Sequence, residues 1–464
     1  MDTILFDIAL LVLGLVTLVW LRLAKPNYFF QVACQFFATF WAQYSWGISW
    51  SLGKLVPILS ASSYSKNKIA RIKIFIPFII YSIFITLISA FYWEIPSHIK
   101  PLYGEYRIWI QLFNFMVIIF SVRGLTSALI DYRTSVLLWK AMTIAVIIHG
   151  SFSVYQIIAW KTNLPLIGIS RAHNLAIDGK ADIAAFVAKS GEDMIRPGGL
   201  AGEPKTAAVV FGIYLITSIF AGFPMNLSFY EKWIGKGAII LAVIGYLTAF
   251  STSAFIGGSL AFFLLLWLLR KEVNSLKFFS IFILSLIIIL VWKIVDLQHY
   301  ENFLEALHSR TFERLINDFE FDPPIEACLN AMAHNLFILI FGCGMGGSSF
   351  IIMKYSNLYI EYAYAPNVMG MLLLTEYGII GTLLLLIPFT IIAKKSLFDK
   401  NRIEYWNVKY LFCMAISGII IILSGSGIAM GEILSISCIC AYSQICYNLN
   451  NSPDGQPPKN QQNI

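Results

Sequence analysis

KIFIPFIIYSIFITLISAFYWE, residues 73–94, carries one charge at each end and none at the positions between. About 20 apolar residues in a helix reach across a hydrocarbon core of about 30 Å. A core helix of a soluble protein would alternate apolar and polar faces over that length, and this run does not. It therefore reads as a transmembrane helix. Outward from it, comparable runs fall at 4–24, 28–50, 107–123, 135–159, 204–222, 236–252, 254–270, 277–297, 367–393, 406–424 and 427–448. The expected fold class is all-α, a polytopic transmembrane bundle of about twelve spans forming one integral membrane domain over 1–448. The remainder, 449–464, has the polar composition of a disordered cytoplasmic tail.

Composition agrees. Of 464 residues, 58% are hydrophobic and only 13% charged, with a mean hydropathy of +0.73. A soluble domain carries about 25% charged residues, so too little polar surface is left to dissolve this chain. The net charge of +7 does not imply nucleic acid as a partner. Its cations sit in short clusters between apolar runs, the pattern of cytoplasmic loops. The first apolar run lacks a basic start and a small-residue cleavage site, which predicts a retained helix rather than a removed signal peptide.

Lys66, Lys68, Arg71 and Lys73 form one such cluster. Others are Arg123 with Arg133, Lys232 with Lys236, Arg270 with Lys271 and Lys277, and Lys394, Lys395, Lys400 and Arg402. From residue 61 onward they occupy alternate loops, which assigns that side to the cytoplasm. Twelve spans put both termini inside but leave Arg22 and Lys25 outside; a hairpin over 28–60 would repair this and flip the N-terminus. Two long loops, about 160–203 and 298–366, fall on the outer face, and loops of that length in a compact bundle are usually functional. The second contains Leu336–Phe341, too short to span, predicted as an interfacial or re-entrant helix ended by glycines.

Candidate chemistry gathers in these loops. Arg196-Pro197-Gly198-Gly199-Leu200-Ala201-Gly202-Glu203-Pro204-Lys205 leads straight into a span. Glycines admit close backbone approach, Pro204 suits a helix start, and the free N–H groups there favour an anion beside a guanidinium from Arg196. An ordinary turn with Glu203 as a capping carboxylate satisfies the same residues. Arg310 and Arg314 are four apart and share a helix face. They either hold something anionic or face headgroups and solvent, with Asp318 within reach of Arg314. Glu376, inside a span, either faces a polar cavity or bonds a neighbouring helix; Glu432 has the same status. Ser251-Thr252-Ser253 predicts a tight turn with hydroxyls bonding backbone.

The seven cysteines and six histidines show no metal-ligand spacing, and neither a P-loop nor a GxGxxG after a strand occurs. Neither metal nor cofactor is expected. Cys438 and Cys440 read as small buried thiols. Cys328 and Cys343 lie outside or at the edge of the spans, either as a disulfide or as two thiols.

Taken in order, these motifs resemble the O-antigen polymerase and O-antigen ligase superfamily of bacterial envelopes. The similar elements are Arg196 through Pro204, the serine turn at Ser251–Ala254, Ser309-Arg310 with Arg314, the turn at Gly342, Gly344 and Gly346, and Glu376-x-Gly378-x-x-Gly381. The motifs cover about 190–395; the flanks agree by hydropathy only. The family's His-Asn before the Glu-containing helix is here Ala365-Pro366-Asn367, without the His on which ligases rely. Ser253-Ala254-Phe255 replaces a Ser-Arg-Gly. Both departures favour the polymerase side.

The resemblance implies a GT-C-like membrane glycosyltransferase of the inner membrane, independent of metal. It would transfer undecaprenyl-diphosphate-linked glycan onto another lipid-linked repeat unit at the periplasmic face. Glu203, Arg196 and Arg310 would be catalytic, and Arg314, Lys205, Asn367 and Glu376 would bind substrate. The bilayer, a flippase and a chain-length regulator of the same pathway would be its partners. The rivals are a ligase to lipid A core and a non-enzymatic flippase or transporter, the latter expected to carry midplane charges and inverted repeats.

Overall fold

The computed structural model describes residues 72–94, 106–162, 197–199, 204–249, 251–270, 323–356, 368–398, 405–424 and 429–450, with isolated positions at 16–24, 164 and 366. Every regular element among them is helical. In chain order these are α1 (Ile76–Ser89), α2 (Arg107–Leu129), α3 (Tyr132–Thr162), α4 (Pro204–Ala221), α5 (Phe229–Thr248) and α6 (Thr252–Leu268). There follow α7 (Pro323–His334), α8 (Leu336–Phe341), α9 (Ser348–Tyr355), α10 (Met369–Phe398), α11 (Trp406–Ser424) and α12 (Ala429–Asn450).

Among the described residues, six stretches are long and apolar enough to cross a membrane: Lys73–Tyr92, Arg107–Leu129, Tyr132–Thr162, Pro204–Ala221, Met369–Ile392 and Trp406–Ser424. The chain thus has the character of a multi-pass membrane protein. Nine of the twelve expected spans coincide with described helices. The spans at 28–50 and 277–297, nearly all of 4–24, and the tail from 451 lie outside the described residues.

The bundle is layered around α11, whose apolar window is 78% buried against 22% for α2. α11 packs on α4, α6 and α12, and also touches α3 and α10. A helix that is apolar all round is stable either in a core or against lipid; α11 takes the first place. α1 and α2 turn Phe84, Trp109 and Phe113 outward in the second. Close packing uses small residues, as membrane bundles require. A Cβ on Gly212 would lie 3.0 Å from the Tyr246 ring, and one on Gly235 3.0 Å from Trp139.

α5 starts seven residues before the expected boundary, because hydropathy ignores a charged first turn and capping does not. Ser228 Oγ accepts from the Glu231 N–H (3.3 Å) while Glu231 Oε2 accepts from the Ser228 N–H (2.9 Å), a reciprocal capping box. Lys140 Nζ on α3 stands 2.6 Å from Glu231 Oε1 and docks this turn on the bundle. The Lys140 contact and the Ser228 N–H hold the Glu231 carboxyl well below its usual range, at about 2.

A depressed carboxyl pKa contributes stability in full above the unfolded value and loses it as pH falls through the folded one. Glu231→Gln keeps a capping oxygen but removes the charge. It should lower stability by about 0.5–1 kcal/mol at neutral pH. Thermal melts of both proteins in detergent should converge as pH falls from 4.5 toward 2.

Candidate functional site: two glycine turns at one end of the bundle

The C-termini of α1 and α3 lie, with the N-termini of α2, α4 and α10, at the end of the bundle opposite Arg123, Arg133, Lys232 and Lys236. The described parts of both long loops are laid on this end.

The first-loop turn rests on α3. Gln156, fully buried, accepts at Oε1 from the N–H groups of Gly198 and Gly199 (3.0 Å each) and donates from Nε2 to the Gly199 carbonyl (2.9 Å). Gly199 is left-handed (φ +55°), and a Cβ on it would lie 2.8 Å from the His149 carbonyl oxygen. Only glycine fits both conformation and space. Pro204 then opens α4, as its position in the motif predicts. Lys205 follows in the first turn, half-buried. A cation there adds to the positive end of the helix dipole. Arg196 and Glu203 flank these pieces in sequence and lie outside the described residues, as do Arg310, Arg314 and Asn367.

The second-loop turn is more elaborate. Apolar Leu336–Phe341 forms α8, capped by Asn335 Oδ1 accepting from the Phe337 N–H (3.0 Å) and terminated at Gly342 (φ +86°). This is the helix expected of that stretch. The chain then runs Gly342–Gly347 against the upstream part of α10. There Gly378 (φ 63°, ψ −173°) breaks the helix in a region only glycine adopts readily. Carbonyl oxygens of Thr375 and Glu376 accept from the N–H groups of Cys343 (2.9 Å) and Gly344 (2.8 Å). The two backbones touch: a Cβ on Gly342 would sit 2.6 Å from the Gly378 nitrogen, and one on Gly378 2.6 Å from the Gly342 nitrogen.

Glu376 completes the clasp. Its Oε1 accepts from the Gly346 N–H (2.8 Å) and the Ser348 hydroxyl (2.7 Å), and the Ser348 N–H donates to the carboxylate as well. The carboxylate thereby caps the N-terminus of α9, where negative charge is favoured. Of its two readings, the bond to a neighbouring element is the one observed. Gly381 supplies the remaining part of the motif by making room for Tyr81, whose hydroxyl donates to the carbonyls of Phe341 (2.7 Å) and Tyr377 (3.2 Å).

Three further residues hold the turn that sequence reasoning did not single out. Arg107 donates from Nε to the Gly346 carbonyl (2.8 Å) and from a terminal nitrogen to Ser349 Oγ (2.8 Å). Thr86 Oγ accepts from the Met345 N–H (2.9 Å), and Trp93 Nε1 donates to the Cys343 carbonyl (2.9 Å). The available signal was polarity at the outer ends of apolar spans.

Cys328 and Cys343 are free thiols buried in one apolar cluster with Met332 and Ile352. Burial pushes the Cys328 thiol up to about 11 and raises Cys343 as well. The serine turn connects α5 to α6. Ser251 Oγ faces Ser253 Oγ (3.4 Å) rather than backbone, and Tyr246 donates to the Ala254 carbonyl (2.7 Å). Glu432 lies on α12, and its side chain is outside the described ones.

Comparison with known protein families, with curated proteins and with solved structures returns no match.

Two sets of variants test this arrangement. Gly378→Ala should cost more than about 3 kcal/mol through strain and overlap. Gly222→Ala, equally left-handed but with nothing within 4 Å, should cost only about 1 kcal/mol. Thermal unfolding followed by reaction of the buried cysteines with a fluorogenic maleimide reads both. Gln156→Leu leaves three backbone groups without partners at roughly 1–3 kcal/mol each. Limited proteolysis in detergent should then cut 163–203 faster than in the parent.

Proposed function

We propose that the protein is an O-antigen polymerase, or polymerase of a related surface polysaccharide, in the bacterial inner membrane. In this reading about twelve spans form a GT-C-like bundle with its active site facing the periplasm. The observation that carries the reading is convergence: motifs separated by more than a hundred residues, at Gly198–Gly199 and at Gly342–Gly381, are folded onto the same end of the bundle. The arginines and carboxylate that flank them in sequence are the residue types the chemistry requires.

In the reaction, a hydroxyl of one lipid-linked repeat unit attacks the anomeric carbon of another. The new glycosidic bond forms as the bond from that carbon to the diphosphate oxygen breaks, and undecaprenyl diphosphate leaves. The hydroxyl proton passes to a base, assigned to Glu203. Negative charge grows on the departing diphosphate, so fixed cations aimed at it accelerate the step. Arg196 and Arg310 take that part, with Arg314 and Lys205 holding the carrier and Asn367 the glycan. Glu376 contributes through the turn it holds. No metal or nucleotide sugar enters this scheme. A flippase and a chain-length regulator would act on either side of it.

A ligase acting on lipid A core is the runner-up, disfavoured by Ala365 and Pro366 where that activity needs a histidine. Arg196→Ala and Arg310→Ala should each abolish long chains on a polysaccharide gel of complemented deletion cells, with the protein still in the membrane fraction. Normal chain lengths in either variant would remove that arginine from the site; single repeat units attached normally in the deletion would argue against the ligase.

A further inference from the structure

A cavity of about 440 Å³ opens beside the second glycine turn, between the outer end of α1 and the helices α8 and α9. The backbone of Gly342 and Gly347 lines it on one side. Trp93 lies against Phe350 with ring centroids 4.8 Å apart, and its indole nitrogen is fixed to the Cys343 carbonyl, so that ring is held rigidly in the wall. Tyr92 and Phe337 add two further rings, both substantially exposed. At the mouth, Lys354 donates to both oxygens of Glu94, at 2.9 and 2.8 Å. Asn335 uses its Oδ1 to cap α8, which leaves its amide nitrogen as a donor. Ser89, only 3% exposed and also in the wall, carries a hydroxyl that meets no hydrogen-bond partner among the described residues. Buried hydroxyls are normally bonded.

These features restrict the occupant. The volume lies in the range of small-molecule sites, roughly 300–1,000 Å³, and suits one or two sugar rings rather than a long prenyl chain. Aromatic walls offer flat apolar faces whose rings pack against C–H groups. The rim supplies donors and acceptors together, which matches a ligand rich in hydroxyls. Charge decides between the remaining classes. Among the described residues, the one ammonium at the mouth, that of Lys354, is neutralised by a carboxylate that engages it with both oxygens, so these side chains present no excess cation to a phosphate and no excess anion to an amine.

We propose that this cavity is a carbohydrate subsite taking a neutral pyranose ring, stacked along the Trp93 wall and hydrogen-bonded by Glu94, Lys354, Asn335 and Ser89. It rests on the polysaccharide reading for the source of the sugar, while the pocket chemistry stands by itself. Within that reading the diphosphate is held elsewhere, by Arg196 and Arg310, and this subsite grips the glycan away from the reacting bond.

Saturation-transfer NMR on the full-length protein, in a detergent without a sugar headgroup, tests it. The probes are methyl β-glucopyranoside, methyl β-galactopyranoside and N-acetylglucosamine, with glycerol 1-phosphate as the anionic comparison. At least one pyranose should receive saturation from the parent protein, and glycerol phosphate none. Glu94→Gln and Lys354→Met, both at exposed positions, should each reduce the signal at least fivefold while the melting temperature holds. Trp93→Ala should abolish it, and Trp93→Phe, which keeps a ring, should retain part. Sugar signals unchanged in the two rim variants would overturn the assignment, as would transfer to glycerol phosphate in place of the sugars. Loss of the subsite with chain formation still dependent on Arg196 and Arg310 would sink this proposal alone. Sugar binding here with normal chains in deletion cells would sink the polymerase reading and leave the subsite.

Discussion

Irregular backbone folded against an apolar helical bundle must find its hydrogen bonds within the protein, because lipid offers none. That constraint organises the end of the bundle that carries both glycine turns. Every described glycine turn there is matched by a polar side chain sent up from a helix: Gln156 beneath Gly198 and Gly199, Glu376 beneath Gly346 and Ser348, and Thr86 at Met345. The net gain from one such bond is modest, about 1 kcal/mol, and hydrogen bonds between membrane helices average still less. The larger quantity is the penalty avoided. A buried N–H without an acceptor costs about 1–3 kcal/mol, and Gln156 alone engages three backbone groups. These side chains therefore decide where the loops can lie more than how tightly they adhere.

Much of this was legible in the sequence, and for a definite reason. Spans are set by length and hydropathy, two properties that tertiary contacts seldom overrule in a membrane protein, so the runs at 204–222 and 406–424 became helices close to their expected bounds, and that at 107–123 a helix that continues to Leu129. Leu336–Phe341 was equally clear, since a short apolar run stopped by glycine has few alternatives. What escaped was pairing over long separations. Arg107 reads as the start of a span, and nothing near it in sequence indicates Gly346, more than two hundred residues away. The early start of α5 escaped for another reason: Ser228 and Glu231 carry a capping signal that a hydropathy window averages away.

The glycines of the second motif illustrate how a loose pattern acquires physical content. In Glu376-x-Gly378-x-x-Gly381 each position does something different: the carboxylate caps α9, Gly378 adopts a conformation closed to other residues, and Gly381 leaves space for the Tyr81 ring. Replacing Glu376 or Gly378 would move the Gly342–Gly347 turn as a whole, and with it Trp93, which hangs from the Cys343 carbonyl. A substitution at Glu376 that abolished activity would thus not by itself make Glu376 a catalytic residue; it would be a positioning residue acting through the turn.

That distinction bears on how the two loops can work together. The second turn is anchored on α1, α2 and α10, while the first is anchored on α3 and opens α4. α3 and α4 bury 50% and 72% of their apolar windows, whereas α1 and α2 bury 33% and 22%. The first motif therefore stands on the more deeply buried of the described helices, and the second on the less buried ones. In the polymerase reading proposed above, one lipid-borne partner would be held on the first motif and the other admitted along the second. In the same reading, the flank carrying α1, where Phe84, Phe91 and Tyr92 are exposed, is the side from which a membrane-anchored substrate would approach the second turn.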